Sequence, residues 1–290
     1  MLGENLREFH MRAYISVDLE GINGICHSSQ TQPGEPGYER SVQLMHAETN
    51  AVIKGLVKAG CDEIVVNDSH WDMRNLRIEL MHPKAHLTSG WQKPFSMASG
   101  VHMDKKPDFA CFVGYHARQG CATGVLSHTY RATVFRDVRI NDVLVGETGL
   151  NAYLAGYFAV PIALMTGDDA LKKECDELMG KVNCVVVKNA VSRYSACFKP
   201  QGEVLEELEK AAYEAAKDKA SWNLLKPPSP AKLTISMNDT SMADACELVP
   251  NVKRLNDRDV EFTDKDYSVV FKVMLALGAL GASRKDAYFS

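Results

Sequence analysis

Short runs of β-branched and aromatic residues alternate with longer segments of helical periodicity along most of this chain. Ala13–Val17, Ile64–Val66, Phe109–Val113, Val143–Val145 and Ile162–Met165 read as strands. Val42, Leu44, Met45, Ala47, Val52, Ile53, Leu56 and Val57 recur at near-helical spacing, which predicts a helix over Arg40–Ala59 with Gly60 as its stop. This β–α–β alternation predicts an α/β fold, a three-layer α/β/α sandwich around a mainly parallel sheet. Ligands of such a sheet sit beyond the carboxyl ends of its strands.

The pattern changes toward the C-terminus. Gly202–Lys219 is a solvated amphipathic helix in which Val204, Leu205, Leu208, Ala211, Ala212 and Ala215 share the apolar side. Pro227-Pro228-Ser229-Pro230 reads as a linker, Lys232–Ser236 as a strand and Lys265–Leu280 as a final helix. The expected organisation is a tail over 1–10, a metal-binding catalytic α/β domain over 11–190 and a smaller α+β region over 191–290. Met1–His10 lacks the apolar core of a secretory signal and reads as a frayed end. Val273–Leu280 is the longest apolar run and is far short of the roughly 20 residues that span a bilayer, so a buried helix is expected there.

Composition narrows the function. With 290 residues, 46% hydrophobic and 24% charged, the chain can bury a substantial core, which excludes disorder. Its formal charge of −4 leaves no electrostatic footprint for phosphate backbones, so no nucleic-acid partner is expected. Eight cysteines without a CxxC pair fit reduced thiols and a cytoplasmic location. All nine histidines fall within the first 128 residues, so imidazole chemistry must come from the N-terminal half.

The segment Ser16-Val17-Asp18-Leu19-Glu20 runs from an apolar strand directly into two carboxylates. Alternate side chains of an extended chain share a face, so Asp18 and Glu20 project together, and like charges that close call for a cation or a proton. Two other strands end in Asn67-Asp68-Ser69-His70 and Gly114-Tyr115-His116, and Val143–Val145 leads through Gly146 to Glu147. A single histidine at a strand end is more often structural, and Glu147 alone reads as a favourable charge at a helix N-terminus. Equivalent positions on a parallel sheet meet at one edge, however, and together Asp18, Glu20, His70, His116 and Glu147 form a mixed O/N donor set suited to two divalent ions, zinc foremost. Two dications exceed the three carboxylates by one charge, which a bound hydroxide neutralises. Paired ions about 3.5–4 Å apart activate water and polarise a carbonyl, so hydrolysis is the natural reaction class.

The sequence resembles the zinc-dependent D-aminopeptidases associated with dipeptide-transport operons. The matching motifs are VDLEG (17–21), NDSH (67–70), KPFSM (93–97), GYHA (114–117), SH (127–128), IND (140–142), VGETGLNAY (145–153) and GDD (167–169), in the family's order. The resemblance implies that Asp18 bridges two zinc ions, with Glu20 and His70 completing one site and His116 and Glu147 the other. It assigns His128 to catalysis, where a histidine can act as nucleophile, general base, proton donor or oxyanion stabiliser. It also implies a short-peptide substrate and a homo-oligomer of ring-like form. The segment Arg118–Thr123 is slightly longer than the family pattern, and His27–Gly37, with two prolines and two glycines, is an expanded loop suited to shaping substrate access.

Rival readings stay open at this level. The donor set also suits hydrolysis of another amide or a phosphoester, or a non-catalytic peptide-binding accessory of a transporter. Asp168 and Asp169 are expected to cap a helix beginning near Ala170. Asp68 is expected to orient His70 or cap a turn. His82, His86 and His102 read as surface residues, and Trp71 and Trp91 as pocket walls or packing. Ser127-His128 lacks a nucleophile elbow, which argues against a serine triad.

Overall fold

A computed structural model describes residues 11–284; the predicted tail over 1–10 lies outside the described residues. Along the chain run β1 (Met11–Val17), α1 (Tyr38–Lys58), β2 (Cys61–Asp68), β3 (Ala85–Thr88), β4 (Phe109–Val113), β5 (Phe135–Ile140) and β6 (Val143–Leu144). They are followed by α2 (Glu147–Tyr157), β7 (Ile162–Asp168), α3 (Asp169–Met179), β8 (Cys184–Ser192), β9 (Ser195–Phe198) and α4 (Gln201–Lys217). The chain closes with β10 (Ala231–Met237), α5 (Thr240–Cys246), β11 (Lys253–Arg254), β12 (Asp259–Asp264) and α6 (Tyr267–Ala282).

The principal sheet has the order β3-β2-β1-β4-β7-β8-β9, parallel throughout except for the β8–β9 hairpin. β1 is an interior strand between β2 and β4, and its pleat separates two cores. Ile15 and Val17 face one side, where α1 packs on α4 and buries Val52, Leu56, Leu208 and Ala212. Tyr14 faces the other, together with Phe112, Leu150 and Leu154 of α2 and Leu171 of α3. That second core continues into a five-stranded antiparallel sheet of order β11-β12-β10-β5-β6, covered by α6 through Phe271, Met274 and Leu277. The predicted strands and helices thus form within a few residues of their expected bounds, and Val273–Leu280 lies inside α6.

One expectation is corrected. Val143–Val145 is no strand of the parallel sheet: β6 pairs antiparallel with β5 in the second sheet. The turn between them is Asn141-Asp142, both left-handed (φ 47° and 70°), the conformation that matches a tight hairpin to strand twist. Residues 135–144 therefore zip locally and dock on β10, and Glu147 reaches the site as the first residue of α2. The second sheet accordingly draws strands from both sides of residue 190, and the β8–β9 hairpin crosses that position.

Candidate metal centre

Three strand ends are zipped together at the carboxyl edge of the sheet. The Asp18 amide donates to the Val113 carbonyl at 2.8 Å, the Ser69 amide to Val17 O at 2.8 Å and the Gly21 amide to Gly114 O at 2.8 Å. Two glycines permit this approach. Gly114 is left-handed (φ 70°), and a Cβ there would overlap the Asp18 carbonyl. A Cβ on Gly21 would overlap the carbonyls of Tyr115 and Gly114. Gly21→Ala is expected to destabilise the protein by about 3 kcal/mol, because the obstacle is backbone that cannot swing aside; urea denaturation measures this, and a loss below about 1 kcal/mol would show that the loops can separate freely.

The zipped loops bring all five predicted donors, and His128, into two groups of three among the described residues: Asp18, Glu20 and His70, and His116, His128 and Glu147. His70 Nδ1 lies 3.2 Å from Asp18 Oδ1 and 3.0 Å from Glu20 Oε2. His116 Nε2 lies 3.4 Å from both Asp18 Oδ2 and Glu147 Oε2. The two oxygens of Asp18 thus face opposite groups, which is the disposition a bridging carboxylate needs. His128 Nε2 stands 3.5 Å from Glu147 Oε1, and its ring stacks on that of His116 with centroids 4.2 Å apart. The donor geometry therefore makes His128 eligible as a further ligand as well as a catalytic group.

Each imidazole is oriented by its outer nitrogen. His70 Nε2 donates to Thr31 O at 2.7 Å, His116 Nδ1 to Ala117 O at 2.9 Å and His128 Nδ1 to Leu126 O at 2.9 Å. A carbonyl only accepts, so the hydrogen sits on the outer nitrogen and the inner one presents a lone pair, the usual arrangement around a ligated metal. Asp18 Oδ2, Glu20 Oε2 and His116 Nε2 are buried without a hydrogen-bond partner. Buried polar atoms are rarely left so. This donor set, with its inward lone pairs and orphaned oxygens, fits two zinc ions.

The electrostatics point the same way. Burial and the neighbouring Glu20 push Asp18 up to about 7. Burial also opposes ionisation of Glu20 and Glu147, yet the adjacent His70 and His116 outweigh it and hold both carboxyls below their ordinary range. Burial works against a charge on His70 and His116, but without metal the carboxylates prevail and raise both; bound zinc would take the place of the inner protons and leave the lone pairs as donors. The cluster attracts positive charge. His128 differs: burial and the field of His116 lower it, which favours its neutral form.

Other predicted residues take supporting places. The Asp68 carboxylate accepts from the amides of Asn75 and Leu76, both at 2.6 Å, and so caps a turn; it does not contact His70 directly. Asp168 caps α3 through Leu171 N and with its other oxygen holds Val125 N at 2.7 Å, which pins the loop leading to His128. The expanded loop 27–37 supplies the Thr31 carbonyl that orients His70. His86 and His102 are exposed and His82 is half-buried. Ser127 Oγ donates to the Cys121 carbonyl at 3.3 Å.

Two features went unread in the sequence. Beneath the centre lies a buried polar floor: Ser16 Oγ meets Ser69 Oγ at 2.7 Å and Tyr115 Oη at 2.6 Å, Asn151 donates to Tyr115 Oη, and the Met97 carbonyl accepts from Asn67 and Ser16. It explains why the KPFSM and GLNAY segments accompany the ligands. The second is Lys188, wholly buried, whose Nζ donates to the carbonyls of Glu20, Ile22 and Ile25. A lysine closing the apolar run Val185-Val186-Val187 was the available signal.

Above the centre opens a cavity of about 1010 Å³, walled in part by Trp71, Trp91 and Tyr130 and by α6 at Lys272 and Gly278. Both tryptophans are more than half exposed, so they act as walls and not as packing. No helix among the described residues is long and apolar enough to cross a membrane.

A family model described as D-aminopeptidase, peptidase M55, matches residues 11–276. A D-aminopeptidase of Bacillus subtilis (strain 168) is 39% identical over 274 residues, 93% of this chain and 97% of the relative. A solved structure of the Zn-dependent D-aminopeptidase DppA from Bacillus subtilis, a self-compartmentalizing protease, matches with a TM-score of 0.91 at 36% identity, over 96% of this chain and 100% of that one.

Proposed function

The chain belongs to the peptidase M55 family of D-aminopeptidases, and from that premise we propose that it is a zinc-dependent aminopeptidase releasing N-terminal D-amino acids from short peptides. The observation that carries this reading is the pair of donor groups joined through the two oxygens of Asp18. Asp18, Glu20 and His70 would hold one zinc ion, and Asp18, His116 and Glu147 the other. When bound, the two ions supply Lewis acidity toward the scissile carbonyl and a water acidic enough to attack near neutral pH.

The remaining chemistry falls to the chain. His128, neutral and held at Nδ1 by Leu126 O, accepts a proton at Nε2 and returns it to the departing amine. Its stacking on His116 fixes the ring plane for that transfer. Glu147, accepting from the Tyr130 amide at 2.6 Å, keeps its carboxylate turned toward both histidines. All six residues lie within 11–190, and α6 from the C-terminal third walls the cavity that would receive the peptide.

The reading extends to assembly and location. Copies of the chain associate into a closed oligomer that shelters the sites, supported by the self-compartmentalizing relative. A cytoplasmic setting is supported by eight cysteines, none of which is paired.

Metal-analysed protein is expected to hydrolyse D-Ala-D-Ala, to favour it over L-Ala-L-Ala by at least about tenfold, and to lose activity with its zinc on chelation. Recovery on adding zinc back completes the test. Turnover that persists in metal-free protein, or a preference for the L-peptide, would overturn the assignment.

A further inference from the structure

The cavity is electrically polarised. At its floor lie Asp18, Glu20 and Glu147, whereas Arg131, Arg193 and Lys272 line its walls, and none of these three cations has a carboxylate partner among the described residues. Arg131 stands out by position. The Tyr130 amide touches the Glu147 carboxylate, so the next residue leaves the edge of the metal centre. Leu126 and Tyr130, both left-handed (φ 51° and 54°), shape the segment that carries His128 and Arg131 together.

The Arg131 guanidinium lies over the Trp91 ring, 5.7 Å from its centroid. Its stem passes α6 at Gly278, where a Cβ would come within 3.2 Å of Arg131 Cδ. The side chain is half-buried, and burial lowers its pKa. A guanidinium with one face on an aromatic ring and no counter-ion keeps its N–H edge free for a planar anion, which it binds bidentately. Lys272 is exposed and rests over Phe95, and Lys93 is committed to the Asp68 carbonyl. Arg193 lies over the Tyr194 ring in a similar way, 5.5 Å from its centroid, but it sits in the turn between β8 and β9 and not next to the residue that holds Glu147.

We propose that Arg131 is a specificity-determining residue that binds the C-terminal carboxylate of the peptide substrate. A short peptide is a zwitterion, and the cavity presents a metal centre for its amino-terminal residue and a framed cation for its far end. Because Arg131 follows directly on the residue that holds Glu147, the span between the two suits peptides of few residues. This rests on the aminopeptidase reading above and gives it a rule for length and end chemistry.

The test compares D-Ala-D-Ala with its C-terminal amide. In the zinc-loaded wild type the amide is expected to show a KM about tenfold higher or more. Arg131→Gln raises KM for the free acid by a similar factor while changing kcat little, so the acid-over-amide preference collapses toward unity, and Arg131→Lys restores part of it. Equal KM values in the wild type, or an equal loss for acid and amide in Arg131→Gln, would overturn the proposal. So would rescue of the amide by an acidic side chain in D-Ala-D-Glu amide, which would assign Arg131 to side-chain recognition. A changed sedimentation mass of Arg131→Gln would place the residue at a subunit contact instead. Should zinc-loaded protein cleave no peptide at all, the aminopeptidase reading fails separately. Calorimetric binding of the same acid and amide to chelator-treated protein then decides the role of Arg131: weaker binding of the amide, and of the acid to Arg131→Gln, sustains it, and equal binding ends it.

Discussion

The His116→Ala protein is expected to lose zinc and to fall in turnover by about 10²–10³-fold or more, whereas His128→Ala keeps its zinc and loses about 10²–10⁴-fold. The difference follows from where each inner nitrogen stands. His116 Nε2 sits between Asp18 and Glu147, 3.4 Å from each, and its removal leaves two buried carboxylates without the nitrogen donor between them. His128 is the more exposed ring, with 21% of its side chain accessible, and of the three carboxylates its Nε2 lies against Glu147, at 3.5 Å. Without it, Asp18, His116 and Glu147 still supply three donors. Metal analysis alongside steady-state kinetics on both variants is the check. Normal turnover in either variant rejects the assignment, and loss of zinc from His128→Ala would make that histidine a ligand.

Lys188→Met is expected to destabilise the protein by about 3–5 kcal/mol. Methionine approximates the volume but removes the ammonium that ties the carbonyls of Glu20, Ile22 and Ile25 at 2.5, 2.8 and 2.7 Å. Three carbonyls would then be left without their donor in a place closed to water. Glu48, buried on α1, would also lose its nearby cation; burial already pushes that carboxyl up to about 7 against the pull of Asn23 and Lys188. Since one of the three carbonyls belongs to Glu20, the same substitution loosens the loop after β1, and zinc should dissociate at lower chelator concentration. Urea denaturation of zinc-loaded protein reads the stability directly. A loss under about 1 kcal/mol would mean that the loop is held by its zipper to Gly114 alone.

His116 and Lys188 differ widely in how legible they are in the amino-acid sequence. His116 announces itself: it follows an apolar run and a glycine, and its counterpart His70 ends a second strand in the same manner. Lys188 does not, because a lysine after three valines reads equally well as the solvated end of a strand. The polar floor was equally hidden. Ser16, Ser69, Tyr115 and Asn151 are ordinary residues until the loops close over one another and exclude water. Asp68 shows the reverse case, a residue next to a ligand whose carboxylate turns away to hold Asn75 and Leu76.

By itself the amino-acid order determined the parallel sheet, the helix over α1, the five donor types and their position just past apolar runs. These follow from short-range chemistry: side chains alternate along a strand, an amphipathic stripe marks a helix, and strands joined by helical crossovers run parallel. Tertiary structure alone decided that β5 and β6 leave the main sheet to join β10, that Lys188 ties a loop 168 residues away, and that Arg131 lies against Trp91 with no counter-ion among the described residues. Such arrangements depend on which distant segments exclude water together, and no local period along the chain records that choice.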